Sequence, residues 1–114
     1  MNDDSNNQFL FPHERLEVYR LAVEAVRDLR RVRWPRGTAH LKDNAIRSVE
    51  STVLNIAEGV GRGPGKARLN HHRIAGGSAA EAAAVLDCLD LDGGPAIKQK
   101  LRRVGAMLNQ MTRG

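Results

Sequence analysis

The chain has 114 residues, 41% of them hydrophobic and 4% aromatic, and a formal net charge of +5. That length suits one domain around one aliphatic core, and the single Cys88 excludes both an intrachain disulfide framework and a cysteine-based zinc site. No apolar run approaches the roughly 20 residues of a membrane span, and the polar, acidic start from Met1 to Gln8 is unlike a secretory leader, so the expected location is the cytoplasm.

Residues 1–11 lack periodicity and read as a flexible tail ahead of a single domain over residues 12–114. A first helix is expected over 13–33, with Pro12 tolerated in its first turn and Glu14 and Glu17 near the positive end of its dipole. Leu16, Tyr19, Val23, Val26 and Leu29 recur at steps of three and four and form its apolar stripe. Trp34-Pro35-Arg36-Gly37 stops it.

A second helix is expected over 40–61, with the seam Ile46, Val49, Val53, Ile56 and Val60. The run from Gly59 to Gly65, with Pro64 inside it, ends this helix and reverses the chain. A third helix is expected over 66–91, with Ile74, Ala75, Ala79, Ala82, Leu86 and Leu89 inward, and it breaks at Asp92-Gly93-Gly94-Pro95. A fourth, over 95–112, carries Ile97, Leu101, Val104, Leu108 and Met111. No strand pattern competes. Short connections make each helix antiparallel to the one before, which predicts an all-α, up-down-up-down four-helix bundle.

Two features of the middle helices go beyond packing. Gly76-Gly77 stands in mid-helix at about 1 kcal/mol per glycine relative to alanine, surrounded by alanines on several faces. Such a surface admits another helix backbone to backbone, either within the bundle or from a second subunit, and the spread of alanines favours the subunit contact over helix propensity alone. In the second helix, Ser48, Ser51, Asn55 and Glu58 make a polar stripe beside the apolar seam. If the hairpin turns near Gly63 and Pro64, Arg47 comes level with Glu81, and Ser51 with Gly77 and Ser78. An Arg47–Glu81 pair is expected to fix that register, at a cost of about 3 kcal/mol if broken. Structural or interface roles are assigned on these grounds to Arg47, Ser51, Asn55, Glu58, Gly77, Ser78 and Glu81.

The run from Arg47 to Gly59, followed by Gly61-Arg62, resembles the signature of the bacterial four-helix-bundle family encoded within ribosomal-RNA intervening sequences. The run Ile74-Ala75-Gly76-Gly77-Ser78-Ala79-Ala80-Glu81 resembles that family's second signature, and Leu16-Glu17-Val18-Tyr19 and Gly105-Ala106-Met107-Leu108-Asn109 extend the likeness over nearly everything after the tail. The chain departs from the pattern at Thr52-Val53, where the family has isoleucine-proline, at His71 in place of an aromatic, and at Asn44 in place of a glutamine. Members are similar to the accessory variability protein of diversity-generating retroelements, a pentameric barrel that binds a reverse transcriptase and nucleic acid. The resemblance thus implies a ring-shaped homopentamer with a central channel, and a reverse transcriptase or other nucleic-acid enzyme as partner.

No enzyme is expected, because two carboxylates without a pocket, nucleophile or metal are not a mechanism. The glycine-rich run ending in Lys66 lacks phosphate-loop spacing, has Ala67 where a hydroxyl is needed, and follows a helix instead of a strand. His13, His40, His71 and His72 are scattered, so neither a metal nor any other cofactor is expected.

The positive charge makes polyanions, nucleic acid above all, the first partner class. Basic residues gather at two corners. Arg62, Lys66, Arg68, His71, His72 and Arg73 surround the turn between the second and third helices, beside free helix amides, and form the preferred nucleic-acid patch. Arg30, Arg31, Arg33, Arg36 and Lys42 lie at the opposite end, where Asp87, Asp90 and Asp92 offset them. Repetition of a patch around an oligomer multiplies weak contacts, giving RNA or DNA binding without strong sequence specificity. The alternative is a protein-protein interaction module whose charge is incidental or steers an acidic partner.

Overall fold

The computed structural model describes residues 9–113. A 3-10 turn, Pro12–Arg15, leads into α1 (Glu17–Arg31), α2 (Ala39–Gly61), α3 (Lys66–Asp87) and α4 (Gly94–Met111), and the described residues contain no strand. Each helix packs against its neighbours in the closed order α1–α2–α3–α4–α1. That is the square of an antiparallel four-helix bundle. None of the described helices is long and apolar enough to cross a membrane.

The core divides into two clusters along the bundle axis. Ala25, Val26, Leu29, Ala45, Val49, Ala82, Val85, Leu86, Leu91, Ile97 and Leu101 fill the end where α1 gives way to α2. Val18, Leu21, Ala22, Ile56, Ala75, Ala79, Val104 and Leu108 fill the end where α2 gives way to α3. The α4 seam is as the spacing predicts, with Ile97, Leu101, Val104 and Leu108 buried and Met111 half-buried.

On α1 and α2 the buried face is turned from the predicted one, whereas on α3 Ala75, Ala79, Ala82 and Leu86 are buried as predicted. On α1 the buried residues are Val18, Leu21, Ala22, Ala25, Val26 and Leu29, while Leu16, Tyr19 and Val23 are half-buried on the flank. On α2 they are Ala45, Ser48, Val49, Thr52, Ile56 and Gly59, with Ile46, Val53 and Val60 half-buried. On α3 the predicted inward Ile74 is 44% exposed. The reason is steric: small residues occupy the line where two backbones approach most closely, and bulky ones fill the wider space beside it.

Three helix ends also differ. The first helix starts late because Leu16 is extended (φ −85°, ψ 132°), which separates the 3-10 turn from α1. It ends at Arg31, where the Trp34 indole donates to the Leu29 carbonyl at 2.9 Å and takes the acceptor that another turn would have used. The third helix stops at Asp87 instead of continuing to residue 91, because Cys88 donates to Val85 O at 2.9 Å and closes the last turn tightly. Leu91, 5% exposed, then enters the core from the loop. Gly93, at φ 85°, turns the chain into α4 in a conformation costly for any residue with a side chain.

The tail expected over 1–11 lies outside the described residues as far as position 8. Phe11 is held: its N–H donates to Glu14 Oε1 at 2.8 Å, while Glu14 N–H donates to Phe11 O at 2.9 Å.

Candidate nucleic-acid interface at the α2–α3 corner

The turn between α2 and α3 depends on glycines, with Gly63 at φ 76° and Gly65 at φ 135°. From α3, Arg68 reaches back to the last turn of α2, donating Nε to Gly59 O at 3.1 Å and Nη2 to Val60 O at 2.9 Å. From the backbone these carbonyls accept the long closing bonds of Arg62 N–H to Gly59 O at 3.3 Å and Gly63 N–H to Val60 O at 3.2 Å, and a cation there also opposes the negative end of the dipole. Arg68 is therefore committed to holding the hairpin.

His72 is buried, 1% exposed, which corrects its assignment to a nucleic-acid patch. Its ring lies over Gly59, and neither ring nitrogen has a hydrogen-bond partner. Burial pushes its pKa below the ordinary value, with the Arg68 guanidinium and the neighbouring His71 acting in the same direction and the Ile56 carbonyl opposing them. A pattern in the sequence points to this burial: His72, Ala75, Ala79, Ala82 and Leu86 are in phase at steps of three and four, so His72 continues the inward face of α3.

The remaining predicted site residues separate clearly. Arg62 Nε pairs with Glu58 Oε2 at 2.9 Å, one turn apart on α2, and both are well exposed. His71, half-buried, bonds through Nδ1 to Asn55 Oδ1 at 2.9 Å. Because the Asn55 amide nitrogen donates to Ser51 O at 2.9 Å, its oxygen faces the imidazole and Nδ1 is the donor. Lys66 and Arg73 are exposed and pair with no carboxylate among the described residues. The corner's free charge is thus Lys66 and Arg73, with Arg62 partly neutralised.

Polar side chains continue this seam toward the middle of the hairpin. The Ser51 and Ser78 hydroxyls are 2.9 Å apart, and the buried Thr52 hydroxyl lies 3.1 Å from both Ser48 O and Ala75 O. The predicted Arg47–Glu81 pair is not formed, and both side chains are exposed. The two helices bring these positions level, but on outward faces where solvation outweighs a long-reach ion pair. Nor do the mid-helix glycines permit a close approach inside the bundle: a Cβ on Gly76 would meet Leu108 at an ordinary 3.9 Å, and one on Gly77 would meet nothing.

The same end of the bundle gathers Arg15 and Arg20 before and within α1, and Arg113 after α4, all exposed. The up-down order of the helices carries the signal for this gathering, because it places the start of the first helix and the end of the fourth beside the turn between the second and third. The carboxylates there are engaged: Glu14 by the Phe11 N–H, Glu17 by Arg103 at 2.9 Å, and Glu58 by Arg62. At the opposite end Asp43, Asp90 and Asp92 stand exposed among the arginines. Among the described residues, no three His, Cys, Asp or Glu side chains converge in a way that would hold a metal ion.

Among curated proteins, none shows significant similarity to the chain. The family description "23S rRNA-intervening sequence protein" matches residues 14–110, which takes in the 3-10 turn from Glu14 onward and all but the last residue of the four helices. The chain belongs to the 23S rRNA-intervening sequence protein family.

Proposed function

We propose that the chain is a non-enzymatic homo-oligomeric scaffold, a cytoplasmic pentamer, that binds RNA or DNA without strong sequence specificity and serves as accessory to a nucleic-acid enzyme such as a reverse transcriptase. The observation that carries this reading is the uneven charge of the two bundle ends. At the α2–α3 end Lys66, Arg73, Arg15, Arg20 and Arg113 are exposed while the nearby carboxylates are engaged. A phosphate backbone needs no more than such a field, multiplied by symmetry. The family's name, taken from 23S rRNA intervening sequences, is compatible with a nucleic-acid partner.

Self-association is supported by the outer face of α2 and α3. Leu54 is 67% and Ile74 44% exposed, Gly77 presents backbone to open space, and Arg47 and Glu81 stand there without partners among the described residues. Large apolar side chains among small and oppositely charged ones suit a protein partner. The same face also supports the second reading, a module that binds another protein and no nucleic acid.

Binding of labelled RNA and DNA across a salt titration separates the two. A scaffold for nucleic acid loses affinity steeply as salt rises, and Lys66→Glu with Arg73→Glu weakens binding and flattens the slope. Affinity unaffected by salt, or by those two reversals, overturns the nucleic-acid reading. Co-purification of a protein without nucleic acid would then favour the alternative.

A further inference from the structure

Phe9 and Phe11 are 78% and 58% exposed, although large aromatic side chains are normally the first to be buried. They are nevertheless ordered against one another. The Phe9 ring meets Phe11 edge to face at 5.2 Å between centroids, Phe11 stacks on His13 at 5.8 Å with 12° between planes, and His13 meets Tyr19 edge to face at 4.7 Å. The result is a short ladder of rings anchored on α1 at one end and open to solvent at the other.

Its setting is cationic. The reciprocal Phe11–Glu14 bonds hold the backbone beneath the ladder and occupy the nearest carboxylate. Arg20 reaches over the same turn, donating Nη1 to Glu14 O at 3.2 Å, and Arg15 is exposed beside it. The turn also packs on α2, and because α1 and α2 are antiparallel, it does so at the end from which Lys66 projects.

We propose that Phe9 and Phe11 form a stacking platform for unpaired bases, so that the nucleic acid this end of the bundle takes is single-stranded, its bases on the rings and its phosphates on Arg15, Arg20 and Lys66. The proposal rests on the nucleic-acid reading above and narrows it. Exposed aromatic rings fit a partner that presents flat apolar faces, and cations with no carboxylate partner among the described residues fit one that is also anionic. A single strand is both, whereas a duplex hides its base faces.

The test measures anisotropy of a labelled oligouridine, a labelled oligothymidine and a labelled duplex of equal length with the full chain, Phe9→Leu, Phe11→Leu and Phe9→Trp, each checked for an unchanged helical spectrum and melt. Leucine keeps the apolar bulk and removes the π face, while tryptophan keeps both. The expected result is tighter binding of both single strands than of duplex. Each leucine variant should lose about tenfold, within the roughly 5- to 150-fold range of one stacked base, on single strands only, and the tryptophan variant should bind as the parent does or better. Leucine variants that bind single strands like the parent, or that lose single strand and duplex equally, overturn the platform and leave the basic corner standing. A parent chain that binds none of the probes overturns the nucleic-acid reading itself, and the platform falls with it.

Discussion

The imidazole of His72 occupies the space that a side chain at position 59 would need: a Cβ on Gly59 would lie 2.7 Å from both Cδ2 and Nε2 of that ring, and 3.2 Å from Arg68 O. The glycine is present at the α2 terminus because α3 inserts a buried ring there. Gly59→Ala gains up to about 1 kcal/mol of helix propensity and meets an overpacking cost of about 1–3 kcal/mol. Backbone on one side and a buried ring on the other leave little room to relax, so a net loss of about 1–2 kcal/mol is expected in urea unfolding. His72→Ala in the Gly59→Ala background should relieve the clash, and the two changes should be non-additive.

His72 also makes stability depend on pH. Its folded-state pKa lies below the ordinary 6.5, so the unfolded chain takes up a proton that the folded chain refuses. The contribution is complete above pH 6.5 and is lost progressively as pH falls from there toward the folded value. Urea midpoints should therefore drop between about pH 7.5 and 5.5, and His72→Leu should flatten the dependence. At neutral pH the leucine variant should be as stable as the parent, or about 1 kcal/mol more so, since two unpartnered buried nitrogens disappear. An unchanged pH dependence in the variant would exclude His72 as the source.

The Thr52 hydroxyl is buried between Ser48 O and Ala75 O, where it joins α2 to α3. Thr52→Val keeps the volume and removes the donor, with an expected loss of about 1 kcal/mol by thermal or urea unfolding. Ser51→Ala, which breaks the half-buried bond to Ser78, should cost less.

Glu81→Ala and Arg47→Ala should each change the stability of the folded chain by less than about 0.5 kcal/mol, because both side chains are exposed and unpaired among the described residues. If the outer α2–α3 face is a subunit contact, the same substitutions should alter native mass instead. A loss near 3 kcal/mol in the isolated chain would restore the ion pair expected from sequence.

The four helices and their antiparallel order were legible because aliphatic residues at steps of three and four are bounded by Pro35, Gly63 to Gly65, and Gly93-Gly94-Pro95. The phase of the buried face on α1 and α2 was less so. Ile46, Val53 and Val60 dominate the hydrophobic pattern of α2, yet Ala45, Thr52 and Gly59 lie deeper, and hydrophobicity alone does not register how closely two backbones approach. In the candidate site the cluster of Arg62, Lys66, Arg68, His71, His72 and Arg73 was readable as composition. Its division into solvated cations, a helix-capping arginine and a buried ring was not, since that depends on partners distant in sequence. Phe9 and Phe11 escaped notice because they precede any periodic segment.

The most direct test of the account is the native mass of the purified chain by light scattering, with and without a single-stranded oligonucleotide, read together with absorbance for nucleic acid. The account predicts an assembly of five 12.5 kDa chains that takes up the oligonucleotide and releases it as salt rises. A single 12.5 kDa chain at every concentration, with no mass or absorbance gained from the oligonucleotide, would contradict it.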